Sequence, residues 1–176
     1  MSNYCEYCMR VKGLSKNVDS FVKLMQADYD EVPRHFWRIF SADVYDESES
    51  DGTKTVDICG DCAWSVYACM CEGDHTYSKD NSEASTSLRE QSELLQLTIE
   101  VFSSEPGIGF QEHYLYKNGK ELVKDCVDYS ETYFENEDEF NACKNAGYYN
   151  GLNWSDADAE GYIKKGGIKG WGNFCI

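Results

Sequence analysis

Four of the nine cysteines form two C-x-x-C pairs, Cys5 with Cys8 and Cys59 with Cys62. Two such pairs can complete the tetrahedral sulfur site of a structural zinc ion, and Gly60 suits a turn in the second pair. The gap between the pairs is longer than in a usual zinc ribbon. Two interpretations of the four cysteines therefore stay open, zinc ligands and buried, reduced thiols. A thioredoxin-like redox pair is disfavoured because no βαβ pattern follows either pair.

A second set of candidate residues lies in the stretch 125–139, where carboxylates alternate with aromatic rings. Carboxylates can take the positions of phosphates in a basic groove, while Tyr and Phe supply the anchors that dominate interface energetics. Such binding gains on-rate from electrostatic steering and weakens with salt. A solvated face is the alternative interpretation. The predicted partner-binding residues are Asp125, Asp128, Tyr129, Glu131, Tyr133, Glu135, Glu137, Asp138 and Glu139.

The charge balance supports the same idea. The chain has 32 acidic and 16 basic residues, a net charge of −16 over 176 residues. Such a surface repels nucleic acid and anionic membranes and attracts basic surfaces, of which nucleic-acid-binding grooves are the commonest. The small basic cluster Lys164, Lys165 and Lys169 does not make the chain a nucleic-acid binder. Plain solubility is the alternative role of this acidity.

Residues for catalysis are scattered in the sequence. His35, His75 and His113 lie in no zinc-protease motif and near no nucleophile elbow. Carboxylates are so frequent that no one pair stands out as a general acid and base. We therefore predict that the protein is not an enzyme, and a small hydrolase with a carboxylate-bound metal is the alternative.

The chain lacks the features of an exported or membrane protein. No run approaches the roughly 20 apolar residues of a membrane span. The opening residues also lack the positive stretch and apolar core of a signal peptide. We expect a protein of the bacterial cytoplasm, with all nine cysteines reduced.

The elements that must position these residues follow from periodicity. Val18, Phe21, Val22 and Met25 share one helical face and predict a helix over 16–27. A capping box, Ser87 with Glu90 three residues later, predicts a second helix over 87–96. A short acidic helix is expected over 136–144. Polar residues predict a loop over 46–55. Strands are predicted at 4–12, within 56–70, and in a meander over 97–102, 110–116 and 121–127, with an Asn118-Gly119 hairpin turn.

This order of elements is typical of an α+β fold with one antiparallel sheet and two helices on one face. We predict one such domain over residues 1–124. Residues 125–176 are predicted to form an acidic C-terminal extension, rich in glycine and aromatic residues, that packs on the same domain.

Three stretches of the sequence resemble the YubB ferredoxin-like domain family of phage and plasmid proteins. The opening resembles the family's M-x-N-x-C-x-N-x-L-x-V-x-G pattern, with Tyr7 in place of the second Asn and Met9 in place of the aliphatic residue. Cys62–Ser65 resembles its T-A-W-S stretch, with Cys in place of Thr. The closing meander resembles an E-x-G-x-x-F element before an N-G turn. The matching residues are Asn3, Cys5, Val11, Gly13, Glu105, Gly107 and Phe110.

The resemblance covers roughly residues 1–122 and implies a ferredoxin-like fold and a mobile-element origin. It implies no catalytic residues. Together with the acidity, it favours an inhibitor that binds a host nucleic-acid-binding defence protein by occupying a basic surface, as a DNA mimic does. The leading candidate target is a CRISPR effector such as Cas9, which would make this an anti-CRISPR protein. A zinc-stabilised protein-interaction module is the main alternative.

Overall fold

One antiparallel sheet organises the computed structural model, which describes residues 4–28, 31–71, 85–130, 134, 136–146 and 165–176. Three α-helices, a π-helical turn and seven strands are formed by the described residues. In chain order they are β1 Tyr4–Leu14, α1 Ser15–Gln26, β2 Asp43–Ser50, β3 Thr53–Ala63, the π-helix Tyr67–Cys71, α2 Leu88–Leu94, β4 Thr98–Glu105, β5 Phe110–Lys117, β6 Lys120–Ser130, α3 Glu137–Ala146 and β7 Lys165–Gly166.

The strands follow the order β2-β3-β1-β4-β5-β6, and the two-residue β7 pairs with the end of β6. Every neighbouring pair is antiparallel. The first strand of the chain therefore lies in the middle of the sheet. The predicted α+β class is confirmed, with six long antiparallel strands and a few helices.

Alternation along β1 sets the position of the core. Its residues Cys5, Tyr7, Met9 and Val11 are buried, while the residues between them are exposed or half-buried. This inner face of the sheet packs against α1, where Val18, Phe21 and Met25 are buried at helical spacing, and against Leu88 of α2. Burying each large apolar side chain contributes about 1.5–3 kcal/mol. The predicted helix over 16–27 is confirmed.

The outer face of the sheet is packed by the C-terminal residues 165–176. The Phe102 ring of β4 stacks on His113 of β5, with ring centroids 4.0 Å apart, and also contacts Trp171 and Phe174 edge-on. The indole N–H of Trp171 donates to the Ser103 carbonyl at 3.1 Å. Both faces of the central strands are therefore covered.

The second helix begins as its capping box predicts. The backbone N–H of Glu90 donates to the Ser87 hydroxyl at 3.2 Å, which satisfies one of the unpaired amides of the first turn. The Glu90 carboxylate accepts from Thr86 at 2.8 Å and pairs with Arg34. This side chain thus ties the helix start to the segment after α1.

The predicted loop over 46–55 is wrong. Residues Asp43–Ser50 and Thr53–Ala63 form a β-hairpin, and the two residues between the strands have positive φ, 52° at Asp51 and 73° at Gly52. Asp-Gly is a preferred pair for a two-residue turn of this handedness. Strand β2 is rich in acidic residues and serine, and all eight of its residues are exposed. It therefore lacks the apolar alternation from which a strand is predicted.

Strand β6 runs from Lys120 to Ser130 and so crosses the predicted domain boundary at 124/125. The predicted extension thus begins inside the sheet, and the division of the chain into two parts stays a prediction. None of the described helices is long and apolar enough to span a bilayer.

Gly60 offers a test of the packing between β3 and the segment before β2. A Cβ at this position would lie 2.0 Å from the Ser41 carbonyl oxygen, which also accepts a 2.7 Å hydrogen bond from the Tyr7 hydroxyl. We expect Gly60→Ala to lower the free energy of unfolding by about 1–3 kcal/mol, as overpacking does, in a urea titration.

Gly166→Ala is the matched control, because a Cβ there meets nothing within 4 Å. Equal stabilities of the two variants would contradict the packing described at Gly60.

Candidate functional site

The register of β1 and β3 divides the four candidate zinc ligands between two faces of the sheet. Cys5 lies opposite Cys62, and Cys8 lies opposite Cys59. Side chains along a strand alternate between faces, so residues three apart point to opposite sides. Gly60 lies within β3 and not in the turn expected from the sequence.

On the inner face, Cys5 and Cys62 are fully buried free thiols. Cys69 of the π-helix joins them and donates its thiol proton to the Ala63 carbonyl at 2.7 Å. Hydrogen bonds with Cys5 and Cys69, together with burial, raise the pKa of Cys62. Cys5 and Cys62 therefore agree with the interpretation of buried, reduced thiols.

On the outer face, Cys8 and Cys59 form a disulfide with their Cα atoms 4.2 Å apart. Directly opposite residues of antiparallel strands approach this closely where the two residues exchange no backbone hydrogen bonds. The expectation that all nine cysteines are reduced is wrong at this pair. The bond fixes β1 to β3 near the middle of the sheet.

A single four-sulfur zinc site would need Cys5, Cys8, Cys59 and Cys62 on one side of the sheet. The described part of the chain holds no group of three or more His, Cys, Asp or Glu side chains that could bind a metal ion. Zinc binding stays a prediction, and this arrangement of the cysteines does not support it.

The predicted partner-binding residues lie on two elements. Asp125 and Asp128 are exposed on β6, and Tyr129 is half-buried at the pairing with β7. Three further residues, Glu131, Tyr133 and Glu135, lie outside the described part of the chain.

The remaining three residues, Glu137, Asp138 and Glu139, are exposed in the first turn of α3. Asn136 caps this helix, since its side-chain oxygen accepts from the backbone N–H of Glu139 at 2.9 Å. Acidic side chains at this end also stabilise the helix through its dipole. The acids of α3 thus have a structural role in addition to the predicted one.

A second acidic surface lies at the other edge of the sheet, on β2. All eight residues of this strand are exposed, and Tyr45 is 83% exposed. Lys54 pairs with Glu47 and Asp19, at 3.0 Å each. The sequence showed the acids of this stretch but not that a strand displays them along a sheet edge. The exposed carboxylates are Asp43, Asp46, Glu47 and Glu49, and Asp51 adds one in the turn.

Two buried carboxylates escaped the sequence reasoning. Glu100 is fully buried on the outer face and accepts hydrogen bonds from the His113 ring at 2.9 Å and the Cys175 backbone N–H at 2.7 Å. Glu112 is 2% exposed on the inner face. Glu100 alternates with apolar residues as a surface acid would, so only its contacts reveal its burial. Glu112 shares a strand face with Phe110 and Tyr114, and this alternation was a signal of its burial.

In comparisons with known proteins, the chain matches no protein-family model, no curated protein and no solved structure at a significant level. The resemblance to the YubB family therefore stays a hypothesis that rests on the residues quoted for it.

The cysteine arrangement predicts a definite labelling pattern. Alkylation in denaturant without reductant should modify seven cysteines, since two of the nine are in the disulfide, and all nine should react after reduction. Intact-mass spectrometry gives both numbers. Nine reactive thiols without reductant would contradict the disulfide, and release of one zinc ion per chain in the same experiment would support the four-cysteine zinc site.

Proposed function

We propose that the protein is an inhibitor that binds a basic, nucleic-acid-binding protein and keeps nucleic acid from its groove. The observation that carries the proposal is the display of carboxylates at both edges of the sheet, on β2 and on β6, with more on α3. The leading target is a bacterial defence nuclease, a CRISPR effector such as Cas9, and the site of action is the bacterial cytoplasm.

The surface suits a phosphate-binding groove in its physical character. The carboxylates of β2 lie on both faces of the strand. Glu47 and Glu49 share one face, about 6.6–6.8 Å apart, while Asp43 and Asp46 share the other face across the bulge between Val44 and Asp46. Their field speeds the encounter with a basic partner and weakens with salt. The exposed ring of Tyr45 supplies the kind of aromatic anchor that dominates interface energetics.

The strand order supports a ferredoxin-like fold, which is part of this proposal. The elements β1-α1-β2-β3-α2-β4 form the sheet order β2-β3-β1-β4, so each helix connects two strands that have a third strand between them. This split arrangement is the ferredoxin-like pattern, and β5 and β6 extend it. The proposed membership of the YubB family agrees with this order, and the proposed mobile-element origin rests on that membership alone.

Charge reversal tests the proposed surface. Immobilised protein is incubated with nuclease-treated bacterial lysate at low salt, and captured proteins are identified by mass spectrometry. We expect a basic, nucleic-acid-binding protein that is released at high salt. Variants with Lys at Asp125, Glu137 and Asp138, or at Asp43, Asp46 and Glu49, should capture it at least tenfold less, because attraction becomes repulsion.

The control is a variant with Lys at Glu31 and Glu93, two exposed acids that belong to neither acidic set. It is compared with double variants at Glu137 and Asp138 and at Asp46 and Glu49, which make the same change in net charge, and it should retain the partner. If all three kinds of variant lose the partner to a similar extent, then net charge alone explains the binding. Capture of no nucleic-acid-binding protein by the parent chain would refute the proposal.

A further inference from the structure

A small pocket opens on the inner face of the sheet, beside the π-helix and beyond the cover of α1 and α2. Its volume is about 310 Å³, near the lower end of the range of ligand pockets. Tyr67 of the π-helix and Phe110 and Tyr114 of β5 form its walls. The rings of Tyr67 and Tyr114 stack with centroids 6.1 Å apart. The pocket is therefore an aromatic one that suits a side chain or a ligand of similar size.

Glu112 is one of the residues that line this pocket. The Glu112 oxygens accept from the Val66 backbone N–H at 2.9 Å, the Ser103 hydroxyl at 2.6 Å and the Tyr114 hydroxyl at 3.0 Å. The Val66 amide can only donate, and the two hydroxyls complete a set of three hydrogen-bond partners around the carboxylate. A carboxylate held in place by these hydrogen bonds thus lies beneath the aromatic walls.

Further acid lies at the edge of the pocket. In the pairing of β5 with β6, Asp128 stands directly opposite Phe110, and opposite residues of antiparallel strands share one face. Asp128 belongs to the predicted partner-binding set, so the pocket adjoins that surface.

A lysine of the protein itself already places its ammonium group on an aromatic ring of the pocket. The ammonium of Lys124 lies 4.7 Å above the centroid of the Tyr67 ring. Aromatic faces attract cations through their quadrupole, most strongly where the cation is desolvated. Lys124 is exposed, and its four-carbon side chain can move away from the rim.

We propose that this pocket binds the guanidinium of an arginine side chain from the basic partner, displacing Lys124 from Tyr67. A planar guanidinium can stack on aromatic rings in a way that an ammonium cannot, and the buried Glu112 and the neighbouring Asp128 supply the opposite charge. The identity of the partner rests on the proposed function. The preference of the pocket for a guanidinium does not.

The test uses a single arginine unit in place of the partner. N-acetyl-arginine methylamide is titrated into isotopically labelled protein, and NMR shifts at Tyr67, Tyr114 and Lys124 are followed. The citrulline analogue, which has nearly the same shape without the charge, is the ligand control. We expect shifts at these three residues with the arginine compound and none with the citrulline compound.

Two variants give effects of opposite sign. Lys124→Ala removes the competing cation and should bind the arginine compound about fivefold more tightly, while Tyr67→Leu should bind it about fivefold more weakly. Lys120→Ala, at the exposed start of β6, makes the same charge change as Lys124→Ala and should leave the affinity unchanged.

Equal shifts with the citrulline compound, or an affinity that Lys124→Ala leaves unchanged or weakens, would overturn the inference. Thermal melts of each variant identify a loss that comes from unfolding. If the arginine compound binds as expected while the parent chain captures no nucleic-acid-binding protein, then the proposed function fails and the pocket stands. If a partner is captured but the arginine compound does not bind, then only the pocket assignment fails.

Discussion

The rest of the structure depends on the position of β1 between β3 and β4. Its pairing with β3 extends from Tyr4 to Leu14, and its pairing with β4 from Glu6 to Lys12. Since the pattern of side chains repeats every two residues, a slip of one position would move Tyr7 and Met9 out of the core and bring charged neighbours into it. The same register decides which cysteines meet and on which face they lie.

The outer face shows how the sheet accommodates charge. Arg10 makes two hydrogen bonds of 2.7 Å to Asp57, which raise the pKa of Arg10, and its guanidinium lies 4.7 Å from the centroid of the Phe174 ring. The buried Glu100 receives hydrogen bonds from His113 and from the backbone of Cys175. A buried carboxylate without such donors would be costly. The C-terminal residues thus satisfy polar groups of the central strands as well as covering apolar rings.

Elements with a strong periodic pattern were predictable from the sequence. The apolar face of α1, the capping box of α2 and the alternation in β5 each agree with their tertiary environment. Strand β4 was also predictable from its alternation, but it is buried on both faces. The hairpin of β2 and β3 was missed because the acids and serines of β2 have low strand preference. The Asp51-Gly52 pair was the signal that could have indicated it.

The candidate sites were less predictable, for a physical reason. The division of Cys5 and Cys8 between two faces follows from strand geometry once both C-x-x-C pairs are placed inside strands, but Gly60 suggested a turn. The role of Glu112 depends on donors at Val66 and Ser103. No local pattern links such distant residues, so only the folded chain shows that this acid is part of a pocket.

The central place of the first strand also governs how the chain can fold. Glu6 pairs with Ser104, and Tyr4 with Ala63, so β1 finds its neighbours only after long intervening stretches have been made. Closing such large loops costs conformational entropy before the contacts between the strands can offset that cost. Domains dominated by pairings between distant residues therefore fold slowly. During synthesis the apolar residues of β1 are made before those of β3 and β4, with which they pair. The nascent protein therefore passes through a stage in which this central strand is exposed to chaperones and proteases.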